Sequence, residues 1–126
     1  MAYKILVVDD EYDLRMTITE ALEIEGYVVV EAIDGEHALQ KLQEIKDVDL
    51  ILLDQMMPKL TGDQFRKIQQ ETEEIKDIPV ILMTAGRVDP ELFYSIKPAS
   101  YVKKPIDLDL FLKKIEEILE LFAVKT

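Results

Sequence analysis

Asp9 and Asp10 follow the aliphatic run Ile5-Leu6-Val7-Val8, and Asp54 follows Leu50-Ile51-Leu52-Leu53. Thr84 follows Val80-Ile81-Leu82-Met83, and Lys104 comes shortly after Ser100-Tyr101-Val102. Each polar group thus stands at the carboxyl end of what reads as a strand. A pair of carboxylates about 4 Å apart repel by about 4 kcal/mol at an effective dielectric of about 20. A fold that gathers three of them therefore needs a proton, a lysine or a divalent cation. Oxygen-only donors favour a hard ion, and Mg²⁺ commonly binds one or two carboxylates while keeping waters that a phosphate oxygen can replace. Asp54, the candidate phosphoryl acceptor, is hard to read as a helix cap, because Gln55-Met56-Met57-Pro58 after it offers no obvious helix. Lys104 can present an ammonium to one phosphoryl oxygen as a compact point charge. The Thr84 hydroxyl and the backbone N–H after it can hold another. Taken singly, Asp9, Asp10 and Glu11 also read as helix-start acids, Thr84 as a strand threonine and Lys104 as a surface lysine. Their joint placement is what favours chemistry.

The elements that must position them are legible from periodicity. The four aliphatic bursts, Ile5–Val8, Val28–Val30, Leu50–Leu53 and Val80–Met83, suit parallel strands covered on both faces. A weaker fifth strand is Ser100–Val102. Leu14, Ile18, Ala21 and Leu22 line one helix that Gly26 can end. Ala38, Leu39, Leu42 and Ile45 line a second, with Asp34 as N-cap. Thr61 to Gln64 reads as a capping box opening a third helix, with Phe65, Ile68 and Ile75 expected on its inner face. Asp89-Pro90 starts a short fourth. Asp107 begins the last, which carries Leu108, Phe111, Ile115, Leu119 and Phe122. Strand and helix alternate throughout, which specifies an open α/β sandwich with right-handed crossovers. In such a sheet of order 2-1-3-4-5, the three aspartates would meet beside the topological switch between strands 1 and 3.

Composition bounds the rest. The chain has 126 residues, 48% of them hydrophobic and 33% charged, and reads as one globular domain over residues 1–126. It has no cysteine, so no disulfide or thiolate metal site is available. No membrane-length apolar stretch and no signal-peptide pattern are present, making the cytoplasm the default location. A formal net charge of −11 argues against direct binding to nucleic acid or an anionic membrane.

Val7-Val8-Asp9-Asp10-Glu11, Leu53-Asp54-x-x-Met57-Pro58-x-x-x-Gly62, Met83-Thr84-Ala85 and Lys104-Pro105 together resemble the signature blocks of bacterial two-component response-regulator receiver domains, in particular chemotaxis-regulator-like single receivers. The resemblance covers essentially the whole chain. It implies a flavodoxin-like, doubly wound five-stranded parallel sheet in which Asp54 takes a phosphoryl group from a sensor histidine kinase or histidine phosphotransfer protein. It implies that Asp10, Asp54 and the Met56 carbonyl ligate Mg²⁺, with Asp9 acting mostly through water. Thr84 and Tyr101 would be the switch pair, changing contacts with a downstream protein or a fused output domain. A cis Lys104-Pro105 bond is implied as well. Such a domain catalyses its own phosphorylation and dephosphorylation without turning over a separate substrate.

Some features depart from this pattern. The interval from Thr84 to Lys104 is shorter than the family's usual one, and Pro90 and Pro98 fall where a regular fourth helix usually runs. Pro98-Ala99 replaces the usual Gly-Ala pair. A short or shifted fourth helix is expected, with the output surface altered accordingly. Leu110 and Leu121 share a flank of the fifth helix; they either pack under a neighbour, sit exposed, or form a partner or phosphorylation-dependent dimer contact. By the same resemblance Met56 and Gly86 would flank the route of an attacking water, a bulky Met56 tending to obstruct it and Gly86 to leave it open, with the balance between them not set by the sequence. His37 reads as a solvated helix residue. Two rival readings are a haloacid-dehalogenase-type phosphohydrolase, which would want an aspartate where Met56 stands, and a receiver-like interaction module without phosphorylation. The chain reads either as a stand-alone receiver or as a piece of a longer regulator.

Overall fold

Three of the aliphatic runs become strands that the chain covers on both faces. The run expected to be buried at Val28–Val30 instead forms an edge of the sheet, with Val28 46% exposed and Val29 and Val30 only partly buried. The computed structural model describes residues 2–57, 59–86 and 89–123. Strands β1 (Lys4–Val8), β2 (Val28–Ala32), β3 (Leu50–Asp54), β4 (Val80–Ala85) and β5 (Ser100–Lys104) form a single sheet in the order β2-β1-β3-β4-β5. Every neighbouring pair is parallel. Helices α1 (Tyr12–Ile24), α2 (Gly35–Glu44), α3 (Gly62–Gln70), α4 (Pro90–Ile96) and α5 (Leu108–Ala123) alternate with the strands. This is the doubly wound, flavodoxin-like arrangement expected from the sequence.

The pleat divides the strands β1 to β4 between two cores, while β5 adds only Val102, to the first. Ile5, Val7, Leu50, Leu52, Ile81 and Met83 face Ile18 and Leu22 of α1 and Phe111, Ile115 and Leu119 of α5. Leu6, Val8, Ile51, Leu53 and Val80 face the other way, against Ala38 and Leu42 of α2 and Phe65 of α3. β1 and β3 are thereby buried and adjacent, with their carboxyl ends at one edge of the sheet.

Local chemistry sets the helix ends. Gly26 takes φ of 93° after α1, a conformation that costs glycine little. Asp34 accepts from the His37 N–H at 2.8 Å and Asp89 from the Glu91 N–H at 3.0 Å. Gln64 Oε1 accepts from the Thr61 N–H at 2.9 Å, and Asp107 Oδ1 from the Leu110 N–H at 3.2 Å. The fourth helix is short as expected: it ends at Ile96, where Lys97 turns left-handed at φ of 49°. Leu110 and Leu121 on α5 are exposed.

The inner face of α3 differs from the expectation. Phe65 is fully buried, but Ile68 is 39% exposed, and Ile75 lies beyond the helix. Arg66 and Gln69 are buried instead. The reason is a demand for hydrogen-bond donors that no aliphatic side chain can meet. Arg66 Nε donates to the Ile96 carbonyl at 2.7 Å, Nη2 to the Lys97 carbonyl at 3.3 Å and Nη1 to Gln69 Oε1 at 2.8 Å. Gln69 Nε2 then donates to the carbonyls of Ile75 and Ile78. A polar strut thus ties α3 to the end of α4 and to the loop before β4. His37 also departs from a purely solvated role, since its Nδ1 accepts from the Ile33 N–H at 3.1 Å.

Candidate functional site

The parallel register carries Val8 level with Leu53 and Asp54 level with Met83, so the residues after these strands gather at one edge. The carboxylate oxygens of Asp9, Asp10 and Asp54 all lie within 4.8 Å of one another. Asp9 and Asp54 are buried, whereas Asp10 is exposed. Lys104 Nζ, arriving from the end of β5, stands 3.1 Å from Asp9 Oδ2 and 3.4 Å from Asp54 Oδ1. Backbone donors complete the cradle: the Glu11 N–H reaches Asp9 Oδ1 at 2.8 Å, and the Met56 N–H reaches Asp54 Oδ1 at 3.3 Å.

One lysine does not neutralise three carboxylates. Burial and the Asp9 charge push the Asp54 carboxyl up to about 6, against the opposing pull of Lys104 and the Met56 N–H. Burial alone would lower the Lys104 ammonium, but Asp54 and Asp9 outweigh it and raise it. The site is therefore an electrostatically frustrated, all-oxygen donor set that suits a hard divalent cation.

A pH dependence follows. Because the folded pKa of Asp54 lies above its ordinary value of 3.8, the folded state holds this proton more tightly than the unfolded chain does. The stabilisation this gives is complete below pH 3.8 and lost as pH rises through about 6. Without divalent cation, the contribution should fall by about 3 kcal/mol over that window. Denaturant titrations of the wild type and Asp54→Asn across this range measure it as their difference.

Thr84 is buried at the end of β4, where its register partner is Lys103. Tyr101 is partly exposed, with its ring edge-on to Phe93 at 5.7 Å. The Lys114 ammonium lies 5.6 Å from the same ring and donates to the Tyr101 carbonyl at 2.8 Å. Met56 is 71% exposed. Gly86 takes φ of 86°, and a Cβ there would meet no atom of the described residues within 4 Å. The Lys104-Pro105 bond is cis.

Sequence reasoning passed over two supporting residues. Gly62 lies so close to the loop after Asp54 that a Cβ would sit 3.1 Å from Gln55 Cα and 3.3 Å from the Asp54 carbonyl oxygen. The Gly62 N–H donates to the Gln55 carbonyl at 3.1 Å. Its spacing from Asp54 was visible as part of a motif, but its reason was not. Arg15 is buried beneath the Asp9 backbone. Nothing in the sequence distinguishes it from a surface arginine of α1.

The response regulator receiver domain model matches residues 5–116. The chain belongs to this family. The receiver is 38% identical over 118 residues to the Transcriptional regulatory protein CpxR of Escherichia coli (strain K12), covering 92% of this chain and 49% of that protein. It is 35% identical over 116 residues to the CAI-1 autoinducer sensor kinase/phosphatase CqsS of Vibrio cholerae, covering 89% of this chain and 17% of that protein. Among solved structures, the chemotaxis response regulator CheY4 of Vibrio cholerae superposes with a TM-score of 0.85 at 28% identity. That match covers 94% of the receiver and 99% of CheY4. The receiver thus spans about half the length of CpxR and nearly all of CheY4. Among the described residues, no helix is long and apolar enough to cross a membrane.

Proposed function

We propose that this receiver is a phosphorylation-dependent switch in which Asp54 accepts a phosphoryl group from the phosphohistidine of a sensor histidine kinase or a histidine phosphotransfer protein. The observation that carries this reading is the convergence of Asp9, Asp10 and Asp54 within 4.8 Å, with Lys104 bridging two of them. Asp10, Asp54 and the Met56 carbonyl would hold Mg²⁺, and Asp9 would orient its water. When bound, Mg²⁺ supplies charge neutralisation for phosphoryl oxygens and for the crowded carboxylates.

The step itself balances simply. One Asp54 carboxylate oxygen forms a bond to phosphorus as the donor histidine N–P bond breaks, and the released imidazole keeps the bonding electron pair. The Lys104 ammonium, already raised by its acidic neighbours, offsets the charge on a phosphoryl oxygen. Hydrolysis later returns the carboxylate and inorganic phosphate, with exposed Met56 and Gly86 flanking the water's approach.

Readout is a population shift. The phosphoryl group favours a state in which the Thr84 hydroxyl donates to it, because a modification moves an equilibrium only through differential interaction. Tyr101, now edge-on to Phe93, would turn inward as Thr84 moves. The partly exposed Tyr101, together with Leu110 and Leu121 on α5, would then present changed contacts to a target protein, an attached output domain or a second copy. The net charge of −11 speaks against direct contact with nucleic acid or an anionic membrane, leaving any DNA contact to an attached domain. No aspartate stands two positions after Asp54, which speaks against turnover of small phosphomonoesters.

Titration with beryllofluoride, a phosphoryl mimic, in the presence of Mg²⁺ should shift the amides of Asp54, Met56, Thr84 and Lys104, and then those around Tyr101. A protein whose amides do not respond would be an interaction module instead.

A further inference from the structure

Arg15 is a charged side chain with only 8% of its surface exposed, on the first helix after the Asp9-Asp10 pair. Its Nη1 donates to the Asp9 carbonyl at 2.8 Å, and its Nε donates to Glu31 Oε1 at 2.9 Å. The Tyr12 ring lies against the guanidinium at 5.5 Å. The Asp9 N–H is itself held by the Ala32 carbonyl at 3.2 Å. Glu31 and Ala32 belong to β2 and stand level with Val7 and Val8 of β1. Arg15 therefore bridges the end of β2 to the peptide that carries the buried Asp9 and the exposed Asp10.

We propose that Arg15 is a positioning residue of the cation site, fixing the Asp9–Asp10 backbone so that both carboxylates are aimed before the cation arrives. The proposal rests on the reading that Asp9, Asp10 and Asp54 hold Mg²⁺. The physical need is specific. The three carboxylates repel one another, and the β1–α1 link is the segment free to relieve that repulsion by swinging Asp10 outward. A carbonyl gripped from below by a planar guanidinium, itself anchored on β2, resists that motion. Only an arginine can do this here, because its fork reaches the Asp9 carbonyl and the Glu31 carboxylate together. Outer-shell partners of metal ligands commonly contribute to affinity in this way, by orienting groups they do not replace.

The test measures Mg²⁺ binding by calorimetry, and separately the Mg²⁺ concentration giving half-maximal labelling by acetyl phosphate. Arg15→Gln should raise the Mg²⁺ dissociation constant by about 10–100-fold and move the half-maximal concentration in step. Labelling at saturating Mg²⁺ should approach the wild-type rate, because the acceptor itself is untouched. Arg15→Lys should be intermediate, since one ammonium cannot serve both acceptors. Glu31→Gln, which keeps the bond to the Asp9 carbonyl, should shift affinity much less. Arg15→Gln that is folded by its amide spectrum but binds Mg²⁺ like the wild type overturns the proposal. So does a lowered maximal rate with unchanged half-saturation. If Arg15→Gln does not fold, Arg15→Lys decides, and equality with the wild type refutes the positioning role. Failure of the underlying cation site looks different: the wild type itself would then show no Mg²⁺ binding near Asp54.

Discussion

Replacing Asp54 with Asn is expected to abolish phosphoryl labelling and, at the same time, to make the cation-free protein more stable. The two effects have one cause. The carboxylate is buried beside Asp9, which holds its pKa at about 6 rather than 3.8. Keeping it ionised at neutral pH therefore costs the fold about 3 kcal/mol. Asn has nearly the same shape, carries no charge and can still accept from the Met56 N–H. The variant should gain up to that amount at pH 7 without divalent cation, a rise of up to about 10 °C in melting temperature. The gain should vanish near pH 4, where the wild-type group is already protonated. Mg²⁺ should stabilise the wild type and do much less for the variant. Labelling of Asp54→Asn by acetyl phosphate at any other residue would contradict the acceptor assignment. Equal stability of the two proteins at pH 7 would contradict the electrostatic account of the site.

The second large effect is expected far from the carboxylates. Arg66→Met keeps side-chain length but removes the three guanidinium donors of the strut. The Ile96 carbonyl, at the base of a fully buried residue, and Gln69 Oε1 would lose their partners. An unsatisfied buried acceptor costs about 1–3 kcal/mol, so a total loss of roughly 2–4 kcal/mol is anticipated in urea unfolding. Arg66→Lys should recover little, because an ammonium lacks the planar fork that meets Ile96, Lys97 and Gln69 together. Hydrogen exchange should speed up first around Lys97 and Ala99, where α4 gives way to β5. A change in stability below about 0.5 kcal/mol would show that the strut carries no weight. Under the proposed switch the effect would reach signalling, since Phe93 of α4 is the ring against which Tyr101 rests.

Much of this was legible beforehand, for reasons that can be traced residue by residue. Buried parallel strands demand continuous aliphatic runs, so Ile5–Val8, Leu50–Leu53 and Val80–Met83 announced themselves. Helix caps are local hydrogen bonds within four residues, so Asp34, Gln64, Asp89 and Asp107 were readable from neighbours alone. Asp9, Asp10, Asp54, Thr84 and Lys104 were visible because each stands at or just past the carboxyl end of a strand, and the short fourth helix because Pro90 and Pro98 bracket it.

Other features depended on where distant segments met. The inner face of α3 was misjudged at Ile68 and Ile75, because periodicity assumes an apolar neighbour. The actual neighbours are carbonyls of Ile75, Ile78, Ile96 and Lys97, which call for Arg66 and Gln69. Arg15 was missed, and Gly62 was seen only as a motif position, for the same kind of reason: a carbonyl under one and a crowded peptide beside the other. The sequence by itself determined the strands, the caps and the inventory of reactive groups, since these depend on near neighbours along the chain. Only the tertiary structure decided which carboxylates share a charge, what lifts Asp54 to about 6 and what holds Asp9 from below. Electrostatic energy and hydrogen bonding depend on distance in space, and the winding of β1 against β3 sets that distance.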